Sequence, residues 1–140
     1  MKTLYKTYIR CILKQPCTIW HSDLTIEDRI ALERVQKNAL RNILQSKYET
    51  YEKALVDLDM ETLFQRRERL LLTFGKKCST LPLTRELFPL NNNYHDINTR
   101  NQEKYEVVKA HTSRLQNSTV PYIQRLLNRA ENETKQKQGL

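Results

Sequence analysis

The stretch SDLTIEDRIALERVQKNALRNILQS, residues 22–46, is the clearest structural element in the sequence because it combines a helix start with a helical hydrophobic period. Thr25 and Asp28 stand three positions apart, the spacing of a capping box, in which the two side chains satisfy backbone amides at a helix start. Apolar residues then recur at helical spacing, namely Leu32, Val35, Ala39, Ile43 and Leu44. The stretch therefore predicts a long amphipathic helix.

The same period predicts further helices over residues 3–13, 50–58, 60–77 and 119–129. In the first of these, an apolar arc of Leu4, Tyr5, Tyr8, Ile9, Ile12 and Leu13 is separated from a basic arc of Lys2, Lys6, Arg10 and Lys14. In the third, the expected apolar line is Leu63, Leu70, Leu71 and Phe74, and Gly75 is expected to mark fraying near the end. The fold class that follows is mainly α, a small domain of four to five helices.

Residues 79–100 interrupt this helical pattern. Pro82, Pro89 and the three asparagines at 91–93 oppose regular structure, which predicts a long irregular connector. Residues 105–108 are too few for periodicity to separate a short strand from a helical turn. We therefore expect a helical region over 1–78, a C-terminal helical segment over 101–130 that packs on it, and a disordered tail over 131–140.

The net charge of the chain favours a partner that carries phosphate groups. Lys and Arg number 24 against 16 Asp and Glu, a formal net charge of +8, and a basic surface attracts phosphate without sequence preference.

Two glycines in the whole chain argue against a β-rich fold with many tight turns. An odd number of cysteines and the lack of an apolar leader or long apolar run predict a reducing intracellular location, nuclear or cytoplasmic, and no membrane partner.

The sequence carries no pattern typical of a catalytic centre. It lacks the adjacent Asp-Asp pair of polymerases and any Gly-rich phosphate loop. Cys11, Cys17 and His21 match three positions of a Cys3His zinc finger, but a structural zinc needs four ligands and Lys2 stands where the other cysteine belongs. We therefore expect no metal, no cofactor and no enzyme activity, with buried thiols favoured over ligands.

The arginine-rich stretch QRRER, residues 65–69, is the best functional candidate. Guanidinium groups on a helix are forked donors suited to backbone phosphates, whereas an ordinary solvated helix face explains the same pattern equally well. The expected phosphate contacts are Lys37, Arg41, Arg66, Arg67, Arg69, Lys76 and Lys77.

Four segments, in order, resemble the region behind the polymerase core of jockey-like LINE-type (non-LTR) retrotransposon reverse transcriptases. They are LYKTYIR (4–10), LERVQKNALR (32–41), LFQRRER (63–69) and VPYIQRLLN (120–128). The resemblance spans nearly the whole chain and implies a thumb and post-thumb region, whose helices grip the template–primer duplex in the intact enzyme. The family's turn before Trp20 is replaced by Cys11, Lys14, Gln15 and Pro16, as expected of a decayed copy, and the catalytic palm is missing.

Two functional interpretations follow. The first is a non-catalytic fragment of an RNA-directed DNA polymerase that at most binds the backbone of RNA or an RNA–DNA hybrid without sequence preference. The alternative is a helical protein-interaction module or an inactive structural remnant, in which exposed apolar helix faces meet another protein chain.

Overall fold

A computed structural model of the chain describes residues 2–13, 15–91 and 103–138, and within them the protein is mainly α, as the sequence predicts. The helices are α1 (Lys2–Leu4), α2 (Arg10–Ile12), α3 (Cys17–Trp20), α4 (Ile26–Leu44), α5 (Tyr51–Asp57), α6 (Leu63–Thr80), α7 (Ser113–Gln116) and α8 (Thr119–Gln138). A π-helical stretch, Tyr5–Ile9, joins α1 to α2. Residues 92–100 of the predicted connector and 139–140 of the predicted tail lie outside the described residues.

The chain divides into two compact units, residues 1–70 and 71–140. The boundary falls inside α6 and not after residue 78, where the sequence places it. Helical periodicity continues without a break through this point, so the sequence offers no signal for the division.

The capping box at the start of α4 is confirmed. The backbone amide of Asp28 donates to Oγ1 of Thr25 at 3.1 Å, and the backbone amide of Thr25 donates to Oδ2 of Asp28 at 3.2 Å. The hydrogen bonds from Thr25 lower the pKa of the Asp28 carboxyl below its usual value. Two amides that the helix itself leaves unpaired are thereby satisfied, which explains why the helix begins at Ile26.

The buried face of α4 agrees in part with the predicted apolar stripe, because Ile43 and Leu44 pack against the core around Leu40. Val35 is exposed, whereas Gln36 and Leu40 are fully buried. The Gln36 side chain accepts from the hydroxyl of Tyr5 and donates to the hydroxyl of Tyr51 and the backbone carbonyl of Glu61, each at 3.0 Å. Burial also raises the pKa of Tyr5 to about 12. A satisfied polar network therefore occupies a place where periodicity predicts an apolar contact.

The N-terminal helical stretch also departs from its prediction. Tyr5 is buried, but Leu4, Tyr8 and Ile12 of the same predicted apolar arc are 56%, 65% and 74% exposed. Arg10, from the predicted basic arc, is buried instead. The N-terminal stretch thus buries Tyr5 and Arg10 within the first unit and exposes an apolar stripe of Leu4, Tyr8 and Ile12.

The core of the second unit packs α6 against α8 through Leu71, Cys78, Phe88, Ile123, Leu126 and Leu127. Gly75 does not mark a frayed end: it lies inside α6 and is buried, and a methyl group at its Cα would overlap Cγ2 of Ile123. Phe74, predicted to be buried, is 42% exposed. The glycine allows the two helices to approach closely, and that contact sets the buried face of α6.

Side-chain amides of α8 hold the segment after residue 102. Asn128 accepts from the backbone amide of Tyr105 and donates to its carbonyl, both at 2.9 Å, while Gln124 accepts from the amide of Val108 at 3.1 Å. Tyr105 also forms an isolated antiparallel bridge with Leu90. The open choice between a strand and a helical turn at residues 105–108 is thus resolved as a single bridge in extended chain.

The predicted end of the last helix near Arg129 is wrong, since α8 continues to Gln138. The polar composition of residues 131–138 predicts disorder, yet these residues are rich in Glu, Lys and Gln, which have favourable helix propensity. Glu131 additionally forms an ion pair with Lys104 at 2.9 Å. Extending an existing helix adds a hydrogen bond per residue without a new nucleation cost, which polarity alone does not reveal.

Candidate nucleic-acid interface

The carboxylate of Glu61 contacts three arginine side chains in the first unit. A single oxygen of its carboxylate, Oε1, lies 2.7 Å from Nη2 of Arg69, 2.9 Å from Nη1 of Arg66 and 3.6 Å from Nη2 of Arg10. Arg66 and Arg69 stand three positions apart in α6 and so share a helix face, whereas Arg10 is brought in by α2. Three guanidinium groups therefore converge on one acceptor atom.

These residues line an open cavity of about 590 Å³. We call it the arginine cleft, and its lining residues are Lys6, Arg10, Leu55, Val56, Asp59, Met60, Glu61, Arg66 and Arg69. Its four basic side chains exceed its two carboxylates by two positive charges. A concave surface with such an excess attracts anions more strongly than isolated surface lysines do.

The donors of the cleft are not saturated by Glu61. Arg10 is 5% exposed, and its Nε, like Nε of Arg66, is buried without an acceptor among the described residues. Burial lowers the pKa of Arg10, and the nearby positive charge of Arg66 lowers it further, against the opposing effect of Glu61. Three guanidinium groups that share one carboxylate oxygen have more donors than that oxygen can accept from, and an anion with several oxygens would accept from their terminal nitrogens.

The structure brings together two of the predicted phosphate contacts, Arg66 and Arg69, but excludes a third. Arg67 is 1% exposed, its Nε donates to Nδ1 of His21 at 3.2 Å, and its guanidinium lies over the ring of Trp20. The prediction that Arg67 contacts a backbone phosphate is therefore wrong for this conformation. Successive residues of a helix point about 100° apart, so neighbouring arginines cannot all share one surface.

The remaining predicted contacts lie elsewhere. Lys37 and Arg41 are exposed on α4 and do not line the cleft, and Arg41 lies over the ring of Tyr48 at 5.3 Å. Lys76 and Lys77 are exposed on the part of α6 that belongs to the second unit. Their contact with phosphate stays a prediction.

Four charged residues of the cleft were missed as contacts from the sequence: Lys6, Arg10, Asp59 and Glu61. Lys6 and Arg10 did carry a signal, because they stand four apart on the basic arc of the N-terminal stretch. Glu61 gave none, since a single acid before a helix is also the expected complement of the helix dipole.

The possible zinc ligands do not form a metal site in the part of the chain that is described. No group of three or more His, Cys, Asp or Glu side chains comes together there. Nδ1 of His21 accepts from Arg67, and burial together with Arg67 and Arg29 lowers the pKa of His21 to about 4. The neighbouring positive charge also disfavours a cation at this position.

None of the described helices is both long enough and apolar enough to cross a membrane. Comparisons with protein-family models, with curated proteins and with solved structures found no match.

Proposed function

We propose that this chain is a non-catalytic fragment of a retrotransposon reverse transcriptase that binds RNA or RNA–DNA hybrid through backbone phosphates. The single observation that carries the binding proposal is the convergence of Arg10, Arg66 and Arg69 on one oxygen of Glu61 beside Lys6. The four segments that resemble LINE-type reverse transcriptases support the proposed origin.

The chemistry of the cleft suits a phosphate group. Guanidinium forks donate to anionic oxygens with short, charge-assisted hydrogen bonds, and the excess of positive charge favours release of the counterions that surround a nucleic acid. None of these contacts reads a base, so binding is independent of sequence. We expect affinity typical of non-specific binding, with a dissociation constant of about 10⁻⁴ to 10⁻⁶ M at physiological salt.

A salt series on a labelled RNA–DNA hybrid tests this binding with the full chain. For the wild type, log affinity should fall linearly with log salt concentration. The double variant Arg66→Gln plus Arg69→Gln should bind more weakly, with a slope smaller by about 2, because two phosphate contacts are lost. Both residues line the cleft.

Arg34→Gln plus Lys47→Gln is the matched control, because it removes the same charge from exposed positions of the same unit that do not line the cleft. It should leave the slope nearly unchanged. Equal losses in the two double variants would mean that net charge, and not the cleft, determines binding. Binding that ignores salt would contradict the proposal outright.

The proposed origin has its own test in the genome. A decayed element should leave a polymerase palm, in frame or frameshifted, in the DNA immediately upstream of the coding sequence. Unrelated single-copy sequence at that place would count against a retrotransposon origin without affecting the binding proposal.

A second candidate function, binding of another protein chain, is favoured by the exposed apolar stripe of Leu4, Tyr8 and Ile12. These residues stand four apart and follow one face of the N-terminal helical stretch, the spacing of a helix that packs into a groove. Sedimentation velocity of the full chain distinguishes the candidates, because self-association that is insensitive to salt and is abolished by Tyr8→Lys supports the second.

A further inference from the structure

One side of the arginine cleft is lined by apolar side chains, which offer no hydrogen-bond donor to a phosphate. Leu55, Val56 and Met60 line it with aliphatic surface, and Val56 is 78% exposed. The cavity volume of 590 Å³ lies within the roughly 300–1,000 Å³ that small-ligand sites occupy, although six of its nine lining residues are charged. The size and the mixed lining therefore suit a small, mainly polar molecule that carries an apolar part as well as an anionic one.

Asp59 adds a second carboxylate to the same cavity, beside that of Glu61. It adopts the left-handed backbone region, with φ of 49°, in the turn that follows α5. The backbone amides of Asp59 and Met60 close this turn by donating to the carbonyls of Val56 and Leu55. The turn thus places Asp59 at the cavity, where its carboxylate would repel a phosphate but would accept hydrogen bonds from hydroxyl groups.

A ribonucleotide carries the three complementary parts. We propose that the arginine cleft binds one unpaired ribonucleotide, with its phosphate at Arg10, Arg66 and Arg69, its ribose hydroxyls at Asp59 and its base against Leu55, Val56 and Met60. The acceptance of ribose hydroxyls by an acidic side chain is the chemistry used in dinucleotide-binding folds. This inference rests on the proposed function, because the same arginines hold the phosphate.

The nucleotide has two sources with the same chemistry, a free ribonucleoside monophosphate or the unpaired end of an RNA strand. A paired and stacked base inside a duplex cannot reach the apolar side without leaving its stack, which costs a few kcal/mol. The cleft is therefore expected to prefer free or unpaired ribonucleotides to the interior of a duplex.

Calorimetric titration of the full chain with AMP, dAMP, inorganic phosphate and adenosine tests the inference. AMP should bind about tenfold more tightly than phosphate, because apolar surface of the base is buried as well. It should also bind about fivefold more tightly than dAMP, the effect of one hydrogen bond. A 5′-phosphorylated single-stranded oligoribonucleotide that binds more tightly than AMP identifies a strand end as the natural ligand, and weaker binding identifies the free nucleotide.

Two variants separate the parts of the cleft, and a third is their control. Asp59→Gly is compatible with the positive φ and should abolish the difference between AMP and dAMP while leaving phosphate affinity intact or higher. Val56→Ser should weaken AMP and dAMP alike by about fivefold without affecting phosphate. Val35→Ser, at an exposed valine of α4 outside the cleft, should change none of these affinities.

AMP that binds no more tightly than phosphate would overturn the ribonucleotide inference, as would an unchanged preference for ribose in Asp59→Gly. Either result is compatible with salt-dependent binding of the RNA–DNA hybrid, which would leave the proposed function standing. Failure of phosphate, AMP and hybrid to bind at all would instead reject both.

Discussion

Nε of Arg67 donates to Nδ1 of His21 at 3.2 Å, and both side chains are buried in the first unit. The contact requires an unprotonated Nδ1 on His21, because a donor cannot approach a protonated nitrogen. Burial is the largest cause that lowers the pKa of His21 to about 4, and the charges of Arg67 and Arg29 add to it. This pair links α6 to the turn after α3 and makes the first unit sensitive to acid.

The first expected outcome is a loss of stability in mild acid. The pKa of His21 is about 4 in the folded chain and near 6.5 when unfolded, so the unfolded chain takes up a proton first as the pH falls. The His21 contribution should be complete above pH 6.5, decline between pH 6.5 and 4, and be flat below. Urea unfolding at a series of pH values should show a loss of about 3 kcal/mol over that window.

His21→Asn removes the titrating group and keeps an acceptor for Arg67, so its stability should vary much less between pH 6.5 and 4. His111→Asn, at an exposed histidine, should retain the wild-type pH profile. If His21→Asn and His111→Asn show the same dependence of stability on pH, the assignment of acid sensitivity to His21 is rejected.

The second expected outcome concerns Gly75, where Gly→Ala should destabilise the protein although alanine is the better helix former by about 1 kcal/mol. The added methyl group would overlap Cγ2 of Ile123, and overpacking of this kind typically costs about 1–3 kcal/mol. Thermal or urea unfolding measures the difference. The double variant Gly75→Ala plus Ile123→Ala should be more stable than the sum of the two single changes implies.

Lys76→Ala in the same helix is the control, because Lys76 is exposed and its replacement should change the free energy of unfolding by less than about 0.5 kcal/mol. A stabilising Gly75→Ala would show that α6 and α8 do not approach as closely as described.

The third expected outcome is that Glu61→Gln tightens binding of the RNA–DNA hybrid. Glu61 supplies the anionic oxygen on which Arg10, Arg66 and Arg69 converge, so it competes with an incoming phosphate for the same donors. The amide is neutral but keeps an acceptor that can hold the arginines in place. We expect affinity at fixed salt to rise about fivefold, by roughly 1 kcal/mol.

Glu52→Gln makes the same change in net charge on α5, at an exposed position outside the cleft, and should raise affinity far less. Weaker binding by Glu61→Gln would indicate that the carboxylate organises the arginines more than it competes with phosphate.

The fold was predictable wherever local chemistry decides it. The capping box at Thr25 and Asp28 and the helical periods gave the mainly α class and most helix starts. The errors have tertiary causes: Gln36 is buried because Tyr5, Tyr51 and the Glu61 carbonyl satisfy it, and Gly75 is internal because Ile123 lies against it. Neither partner can be identified from a single sequence.

The candidate site was predictable only in part. The arginine-rich stretch includes Arg66 and Arg69, which line the cleft and whose contact with phosphate stays a prediction, but the same reasoning included Arg67, which faces the interior. The composition of a helix shows how many charged side chains it has but not which of them point toward solvent. Arg10 joins the cleft from a helix 51 residues before Glu61, and such a juxtaposition exists only in the folded chain.

The most direct test of the arginine cleft is an NMR titration that follows the arginine side-chain Nε–H signals of the full chain as the RNA–DNA hybrid is added. Single Gln variants assign the signals of Arg10, Arg66, Arg67 and Arg69. We expect those of Arg10, Arg66 and Arg69 to shift together in a saturable manner, while that of Arg67, bound to His21, stays in place. Shifts confined to arginines outside the cleft, or none at all, would contradict the assignment of phosphate binding to this site.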